Sequence, residues 1–215
     1  MFHEDAFSIA RPLVASDEAT ESIVLRLALT IEARDSQTAG HCQRLATYAV
    51  ALGAALDLPQ QDLDTLRRGG FLHDIGKVAV PGTILLKPGP LTDAEYAQMK
   101  QHTMIGDSLC SRVPSLEPVR TIVRSHHERI DGSGYPDGLR SAEIPLLAQI
   151  VSVVDTFDAL TSVRPYKPAL SAKEAYQELR NEVVRGWKRW DLVEEFIALA
   201  QARQARPTEE VAWTR

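Results

Sequence analysis

The sequence predicts an all-α protein. Apolar residues recur at spacings of three and four through most of the 215 residues, which is typical of helices with one buried face. No segment alternates strictly between apolar and polar residues, as a half-buried strand would. Two pairs, Thr92 with Glu95 and Ser171 with Glu174, fit the capping box that begins many helices. Together these observations favour a bundle of about seven to nine helices.

The first part of the chain is predicted to contain three helices. Apolar spacing indicates the first over residues 17–33 and the second over residues 38–58. A third helix over residues 60–76 contains Gly69 and Gly70, which we expect to interrupt it because glycine weakens a helix.

The second part follows one long loop. Prolines and glycines crowd residues 80–91, and such clusters are typical of loops. The first of the two capping boxes begins the next helix, which we expect to break near Gln98. The helices predicted after the loop cover residues 92–111, 115–127, 141–162, 171–185 and 190–203.

The composition is that of an ordinary globular protein. Apolar residues make up 44% of the chain and charged residues 25%, and the net charge is -5. This acidic balance argues against a binder of double-stranded nucleic acid, so an anionic substrate would need a locally positive site. One domain is the simplest division, with residues 1–16 as a leader, 17–203 as the domain and 204–215 as a tail.

The cysteines and the apolar runs bear on location. Cys42 and Cys110 are isolated in sequence, so we expect two reduced thiols and a cytoplasmic protein. The start of the chain lacks the pattern of a signal peptide. The longest apolar stretch contains Gln149, Asp155 and Asp158, so we expect no membrane span.

Five of the six histidines occupy positions that suggest metal binding. A lone histidine on a helix more often has a structural role, but three of these five have a neighbour in sequence that could also bind metal. Neighbouring helical residues point about 100° apart, so such a pair can straddle two ions held close together. The adjacent pairs are His73–Asp74 and His126–His127, and the remaining histidines are His41 and His102.

Two aspartates in the most apolar predicted helix add carboxylates. Asp155 and Asp158 are three residues apart and share a face, and a buried carboxylate is costly unless it is paired or binds a metal. The alternative is an ion pair with an arginine across the bundle. Imidazoles with carboxylates and no thiolate suit Fe, Mn, Zn or Ni. Two such ions can activate water and hold a phosphodiester for in-line attack, so the residues predict metal-assisted hydrolysis of phosphate esters.

Five segments in this order resemble the HD-GYP domain, a subgroup of the HD-domain metal-dependent phosphohydrolases. HD alone is a common dipeptide, but the ordered set is specific and covers about residues 17–200. The segments are TAGHCQRLA (38–46), FLHDIGKVAVP (71–81), HTMIGDSL (102–109), HHERIDGSGYPDGL (126–139) and VVDTFDALTSVRPYKPALS (153–171).

The resemblance implies an HD-domain helical bundle with a site for two or three divalent metal ions, usually iron or manganese. It implies hydrolysis of cyclic di-GMP to pGpG, in some members on to GMP, in bacterial second-messenger signalling. Asp74 would bridge the two ions, and His126 and His127 would each serve a different ion. The implied ligands are His41, His73, Asp74, His102, His126, His127 and Asp155.

The resemblance also implies roles around the metals. Lys77 would lie near the attacking oxygen and the phosphate, with Asp158 as its partner acid. Tyr135 would form part of the cavity wall, although a glycine-rich surface turn is the alternative for its loop. Arg164 and Lys167 would contact the substrate and supply the positive charge that an acidic protein needs.

One residue departs from the family pattern. Members with a third metal carry a glutamate four residues before the first histidine, where this chain has Gln37. A neutral amide is a poorer ligand for a hard dication, so we expect a two-metal site. The departure puts efficient conversion of pGpG to GMP in doubt.

Two other functions stay open. The chain could retain the fold as a catalytically weak cyclic di-GMP receptor or protein-interaction module, or it could hydrolyse another nucleotide or a phosphomonoester. The complete ligand set for two metals favours catalysis. A dimer or a regulatory protein partner is compatible with the apolar stripe of the first helix, which packing on its own core explains equally well.

Overall fold

The computed structural model describes residues 17–34, 40–163 and 168–204, and every regular element within these ranges is a helix. Its α-helices number ten, one of which, α4, is a single turn, so nine longer helices agree with the predicted seven to nine. They are α1 Asp17–Arg34, α2 His41–Ala55, α3 Gln60–Leu72, α4 Gly82–Leu85, α5 Asp93–Lys100, α6 His102–Cys110, α7 Arg120–Ser125, α8 Leu146–Thr161, α9 Ala172–Val184 and α10 Trp190–Gln204.

Several predicted sites and boundaries fall outside the described part of the chain. The predicted leader, residues 1–16, and all but the first residue of the predicted tail lie there, as do Gln37, Arg164 and Lys167. In the described ranges, no helix combines the length and the apolarity needed to cross a bilayer.

The predicted interruption of the third helix is wrong. α3 runs unbroken through Gly69 and Gly70, and a Cβ on Gly70 would lie 2.6 Å from the Cα of Ala46 in α2. Glycine is needed at this position because α2 and α3 pack backbone to backbone. The packing between the two helices outweighs the low helix propensity of glycine. The predicted break in the next helix is confirmed, at Gln101, between α5 and α6.

Short 3-10 segments replace α-helix at three predicted places. One, Ile75–Ala79, follows α3, and another, Pro114–Val119, precedes α7. The third, Ser141–Glu143, precedes α8, which begins only after Pro145 because proline favours the first turn of a helix over its interior. Both predicted capping boxes are present, at Thr92 and at Ser171.

The main core surrounds α8, which packs against α2, α3, α7, α9 and α10. Its buried face explains its apolar sequence, since a helix with neighbours on most sides exposes little surface to water. Phe157 makes aromatic contacts with Tyr48, Tyr176 and Phe196, with ring centroids 5.0 to 6.0 Å apart. These contacts fix the helix that carries Asp155 and Asp158.

A second core cluster holds the segment after α3. Ala28 and Ile31 of α1 pack there with Leu72, Ile75 and other buried residues from α6 and α7. Burial on both sides fixes the turn that contains His73 and Asp74, which lie between Leu72 and Ile75.

Gly76 allows the closest backbone contact between this turn and α6. A Cβ at Gly76 would lie 1.9 Å from the carbonyl oxygen of His102 and 2.6 Å from the amide nitrogen of Gly106. Both atoms belong to the backbone, so neither can move away without shifting α6. The contact sets the distance between the His73–Asp74 turn and His102.

Gly76→Ala is predicted to destabilise the protein by about 2 kcal/mol or more, because overpacking against backbone cannot be relieved by a side-chain rotation. Gly82→Ala is the matched control, since among the described residues an added Cβ would have one neighbour within 4 Å, an arginine nitrogen at 3.9 Å. Urea unfolding of both variants tests the prediction. Equal stability of the two variants would contradict the proposed contact.

Candidate metal centre

Seven side chains converge into two adjoining groups that could hold metal ions. Within each group, the candidate ligand atoms lie within 4.8 Å of one another. One group consists of Asp74, His102, His126 and His127, and the other of His41, His73 and Asp155. These are the seven residues that the sequence comparison with HD-GYP domains nominated as ligands.

The ligands come mostly from the ends of helices. His41 and His102 are the first residues of α2 and α6, and His73 and Asp74 follow α3 directly. The His126–His127 pair follows α7, whereas Asp155 lies in the middle of α8. Helix ends from separate parts of the chain thus meet at one point, and a single central helix supplies the remaining carboxylate.

Backbone carbonyls fix the tautomers of three histidines. The Nδ1 atom lies 3.2 Å from the Gly70 carbonyl oxygen in His73, 2.8 Å from that of Met99 in His102, and 3.0 Å from that of Val123 in His126. A carbonyl oxygen only accepts hydrogen bonds, so each Nδ1 carries the proton and donates. In a neutral ring, the Nε2 atom then has a bare lone pair.

Asp158 does the same for His41. Its Oδ2 atom accepts a hydrogen bond from Nδ1 of His41 at 2.7 Å. Arg44 donates to both Asp158 oxygens, at 2.5 and 2.9 Å, and crosses from α2 to α8. Burial raises the pKa of Asp158, but the hydrogen bonds from His41 and Arg44 outweigh this and bring the pKa to about 2. The carboxylate is therefore ionised and orients the His41 ring.

These tautomers leave electron pairs facing one another. The Nε2 atoms of His41 and His73 are 3.4 Å apart, and those of His102 and His126 are 3.5 Å apart. Two lone pairs at this distance repel unless a proton or a metal cation lies between them. Each facing pair belongs to a different one of the two groups, so each group fits one cation.

Asp74 lies between the two groups. Its Oδ2 atom is 3.2 Å from Nε2 of His73, and its Oδ1 atom is 3.3 Å from Nε2 of His102. Oδ1 is buried and has no hydrogen-bond partner among the described residues, an arrangement that a cation would satisfy. The donor set, imidazole nitrogens with carboxylate oxygens, is one that divalent transition metals favour.

The electrostatics of the centre suit cation binding. Burial raises the pKa of Asp74, but the charges of Lys77, His73 and His102 outweigh burial and hold that pKa well below its usual value. Burial lowers the pKa of His102, lowers that of His126 to about 3, and lowers that of His127 strongly. These three rings are neutral near pH 7, which is the state that binds metal.

The pKa of His73 shifts in the opposite direction. Burial lowers its pKa, but the charge of Asp74 and a hydrogen bond to it outweigh burial, so the pKa is raised above its ordinary value. Binding of a cation to Nε2 of His73 therefore competes with protonation of that ring.

The prediction that His126 and His127 serve different ions is not favoured by this geometry, although it stays a prediction. Both fall in the group that contains Asp74 and His102, with their own ring centroids 4.1 Å apart. The 100° separation of helical neighbours does not apply, because α7 ends at Ser125 and both histidines lie beyond it. The His73–Asp74 pair does divide between the two groups, as predicted.

A carboxylate missed by the sequence analysis holds the glycine-rich loop. Glu128 is buried and accepts hydrogen bonds from the backbone amides of Asp137, Gly138 and Leu139, at 2.7 to 3.1 Å. Tyr135 in this loop lies against His127, with ring centroids 4.8 Å apart. The loop therefore forms a wall of the centre, not a detached surface turn.

Two further residues clarify the remaining expectations. Lys77 places Nζ 2.7 Å from Oδ2 of Asp74, beside the ligands as expected. Arg44 was missed, although it follows His41 by three residues and so shares its helical face. The contacts of Asp158 with His41, Arg44 and Ser162 favour an orienting role over the expected partnership with Lys77.

The chain resembles curated proteins of one kind. It is 42% identical over 170 residues to the cyclic di-GMP phosphodiesterase response regulator RpfG of Xanthomonas campestris, covering 76% of this chain and 45% of that protein. It is also 42% identical over 152 residues to a cyclic di-GMP phosphodiesterase of Thermotoga maritima, covering 70% and 41%. A 3'3'-cGAMP-specific phosphodiesterase of Vibrio cholerae is 35% identical over 193 residues, covering 85% and 36%. The chain thus spans less than half the length of these relatives.

Solved structures share the fold. Bd1817, an HDG"Y"P protein from Bdellovibrio bacteriovorus, gives a TM-score of 0.62 at 23% identity over 86% of this chain and 62% of that one. The HD domain of the phosphodiesterase PgpH from L. monocytogenes gives 0.61 at 15% identity over 85% and 97%. The HD domain model matches residues 27–187. The predicted resemblance is confirmed, and the chain belongs to the HD-domain family.

Proposed function

We propose that this chain is a metal-dependent phosphodiesterase that hydrolyses cyclic di-GMP to pGpG in bacterial second-messenger signalling. The observation that carries the proposal is the pair of ligand groups joined by Asp74, in which bare imidazole nitrogens face one another at 3.4 and 3.5 Å. The curated relatives named cyclic di-GMP phosphodiesterases support the choice of substrate.

The proposed cofactor is a pair of divalent ions, iron or manganese, held by the two groups with Asp74 shared between them. Such ions lower the pKa of water and stabilise the charge that develops on phosphoryl oxygens. The protein's part is to hold seven ligand atoms in place before the ions arrive, through the carbonyls and the carboxylate that orient the imidazoles.

Lys77 is proposed to bind the substrate phosphate. Its ammonium group is partly exposed, with 19% of the side chain accessible, and pairs with Asp74 at 2.7 Å. Metal ions held by Asp74 would share its charge, so the Lys77 ammonium would be available to an incoming phosphate. It can then donate a proton to the departing ribose oxygen or hold its negative charge. Tyr135, beside His127, would close the side of the cavity.

Asp158 is proposed to act through His41. Carboxylate–histidine–metal arrangements orient the ring and raise its basicity toward the metal. Arg44 compensates the buried charge of Asp158 and ties α8 to α2. Asp158 is thus a positioning residue, and any direct proton transfer falls to Lys77.

The proposal extends to location and partners. Both cysteines are buried and reduced, which supports action in the cytoplasm. Since the chain spans less than half of its curated relatives, we propose that further domains or protein partners supply regulation. Arg164 and Lys167, which lie outside the described residues, are proposed to contact the substrate.

Turnover of cyclic di-GMP is the direct test. The protein loaded with Mn²⁺ or, anaerobically, with Fe²⁺ should release pGpG, and a chelator should abolish the reaction. Asp74→Asn should lower kcat/KM by at least about 100-fold, because it removes charge from the ligand shared by both groups. Asp64→Asn is the matched control, since its carboxylate lies on the surface of α3. Absence of pGpG with both metals would refute the proposal.

The role of Asp158 can be separated from catalysis by metal binding. Asp158→Asn should weaken Mn²⁺ binding about 10- to 100-fold, because the His41 ring loses its orienting charge. Equilibrium dialysis against Mn²⁺ measures this directly, and Asp191→Asn, an exposed aspartate paired with Arg189, is the control. If Asp158→Asn lowers kcat while Mn²⁺ affinity stays at the wild-type value, Asp158 acts as an acid partner and the positioning role is wrong.

A further inference from the structure

A polar cavity of about 220 Å³ adjoins the metal centre. His127 lines both the cavity and the metal group, and Tyr135 forms part of the same wall. None of the remaining residues of this cavity has a role in the proposed hydrolysis. The residues that carry the inference are Tyr96, Arg129, Ser152, Glu182, Trp187 and Lys188.

One turn of α8 joins this cavity to the metal centre. Ser152 and Thr156 line the cavity, and Asp155 lies between them in sequence. Ser152 and Asp155 are three residues apart, so they share a helix face. The lining residue Ser152 and the candidate ligand Asp155 are therefore about one helical turn apart along α8. In a nucleotide, one ribose separates the base from its phosphate, which suits this arrangement.

A buried lysine lies beside Glu182 in the lining of the cavity. Nζ of Lys188 donates to the carbonyl and the hydroxyl oxygen of Ser152, both at 2.9 Å, and lies 3.4 Å from Oε2 of Glu182. Burial lowers the pKa of Lys188, an effect that the neighbouring charge of Glu182 opposes. The Nζ atom of Lys188 is thus occupied by contacts within the protein, whereas Glu182 lines the cavity.

Glu182 then selects the chemistry of the ligand. An ionised carboxylate only accepts hydrogen bonds, so the ligand must bring N–H or O–H donors. Guanine presents two adjacent donors, N1–H and the N2 amino group, that match the two oxygens of a carboxylate. Adenine presents a bare N1 atom beside its amino group, and this atom would face the negative charge.

The walls favour a flat ligand. The guanidinium carbon of Arg129 lies 3.6 Å from the centre of the Trp187 ring, which makes a stacked plane. Tyr96 and Tyr135, which also line the cavity, form an aromatic pair with ring centroids 6.3 Å apart. Nucleobases stack on aromatic rings and on guanidinium planes.

We infer that this cavity is a guanine-base subsite, with Glu182 as its specificity-determining residue. The inference rests on the proposed function, because it assumes that a cyclic dinucleotide binds at the metal centre. It adds a preference among such substrates: cyclic di-GMP and 3'3'-cGAMP each offer a guanine, and cyclic di-AMP does not. The first two are therefore hydrolysed with higher kcat/KM than the third.

The test uses Glu182→Gln in the full chain with Mn²⁺. The amide presents a donor to the guanine donors, so KM for cyclic di-GMP should rise about 10- to 100-fold. Bis(p-nitrophenyl) phosphate, a phosphodiester without a base, reports on the metal centre alone. The decrease in kcat/KM for cyclic di-GMP should exceed the decrease for this ester at least tenfold. A variant that is merely unfolded or disturbed would lose activity on both substrates alike. Equal losses on both, or an unchanged KM for cyclic di-GMP, would overturn the inference.

Glu194→Gln is the matched control, since Glu194 pairs with Arg180 away from the cavity and should leave both activities unchanged. Binding separates failure of the subsite from failure of the proposed function. If the wild-type protein does not hydrolyse cyclic di-GMP, its tryptophan fluorescence is titrated with this nucleotide. Quenching that is lost in Trp187→Phe and weakened in Glu182→Gln supports the subsite by itself. No quenching, or quenching indifferent to both changes, overturns it.

Discussion

Buried imidazoles in this protein turn their bare Nε2 atoms toward one another, and the rest of the structure is arranged to hold them there. Their Nδ1 atoms are committed to carbonyl oxygens at helix ends or, for His41, to Asp158. The rings cannot turn away without breaking these bonds, and the facing lone pairs, 3.4 and 3.5 Å apart, repel. A cation between them would relieve the repulsion, so the geometry of the folded protein favours metal binding.

The packing of the bundle serves this arrangement. Gly70 brings α3 against α2, and Gly76 brings the following turn against α6. These backbone contacts fix the separation of His41, His73 and His102 more firmly than side-chain packing alone could. The ion pair of Arg44 with Asp158 then ties α2 to α8, which carries Asp155. Several of the candidate ligands therefore owe their positions to contacts between separate helices.

The sequence predicted the helical class, both capping boxes and the seven residues that the fold brings into the two candidate groups, because periodicity and motif order are local features. It could not predict which ligands share a group. His126 and His127 join the same group because α7 ends before them, and helix ends are the least certain part of any such prediction. Gly70 looked like a helix breaker, since only the folded state contains the approaching backbone of Ala46. The partners of Asp158 and Glu128 could likewise not be predicted from the sequence, because they depend on contacts between separate segments of the chain.

The most direct measurement is anomalous diffraction from crystals of the manganese-loaded protein. Two anomalous peaks are expected, about 3.5 to 4 Å apart, as in other two-metal hydrolytic centres. One should lie among His102, His126 and His127 and the other among His41, His73 and Asp155, with Asp74 in contact with both. A single peak, or a pair of peaks that Asp74 does not join, would contradict the arrangement on which the proposed chemistry depends.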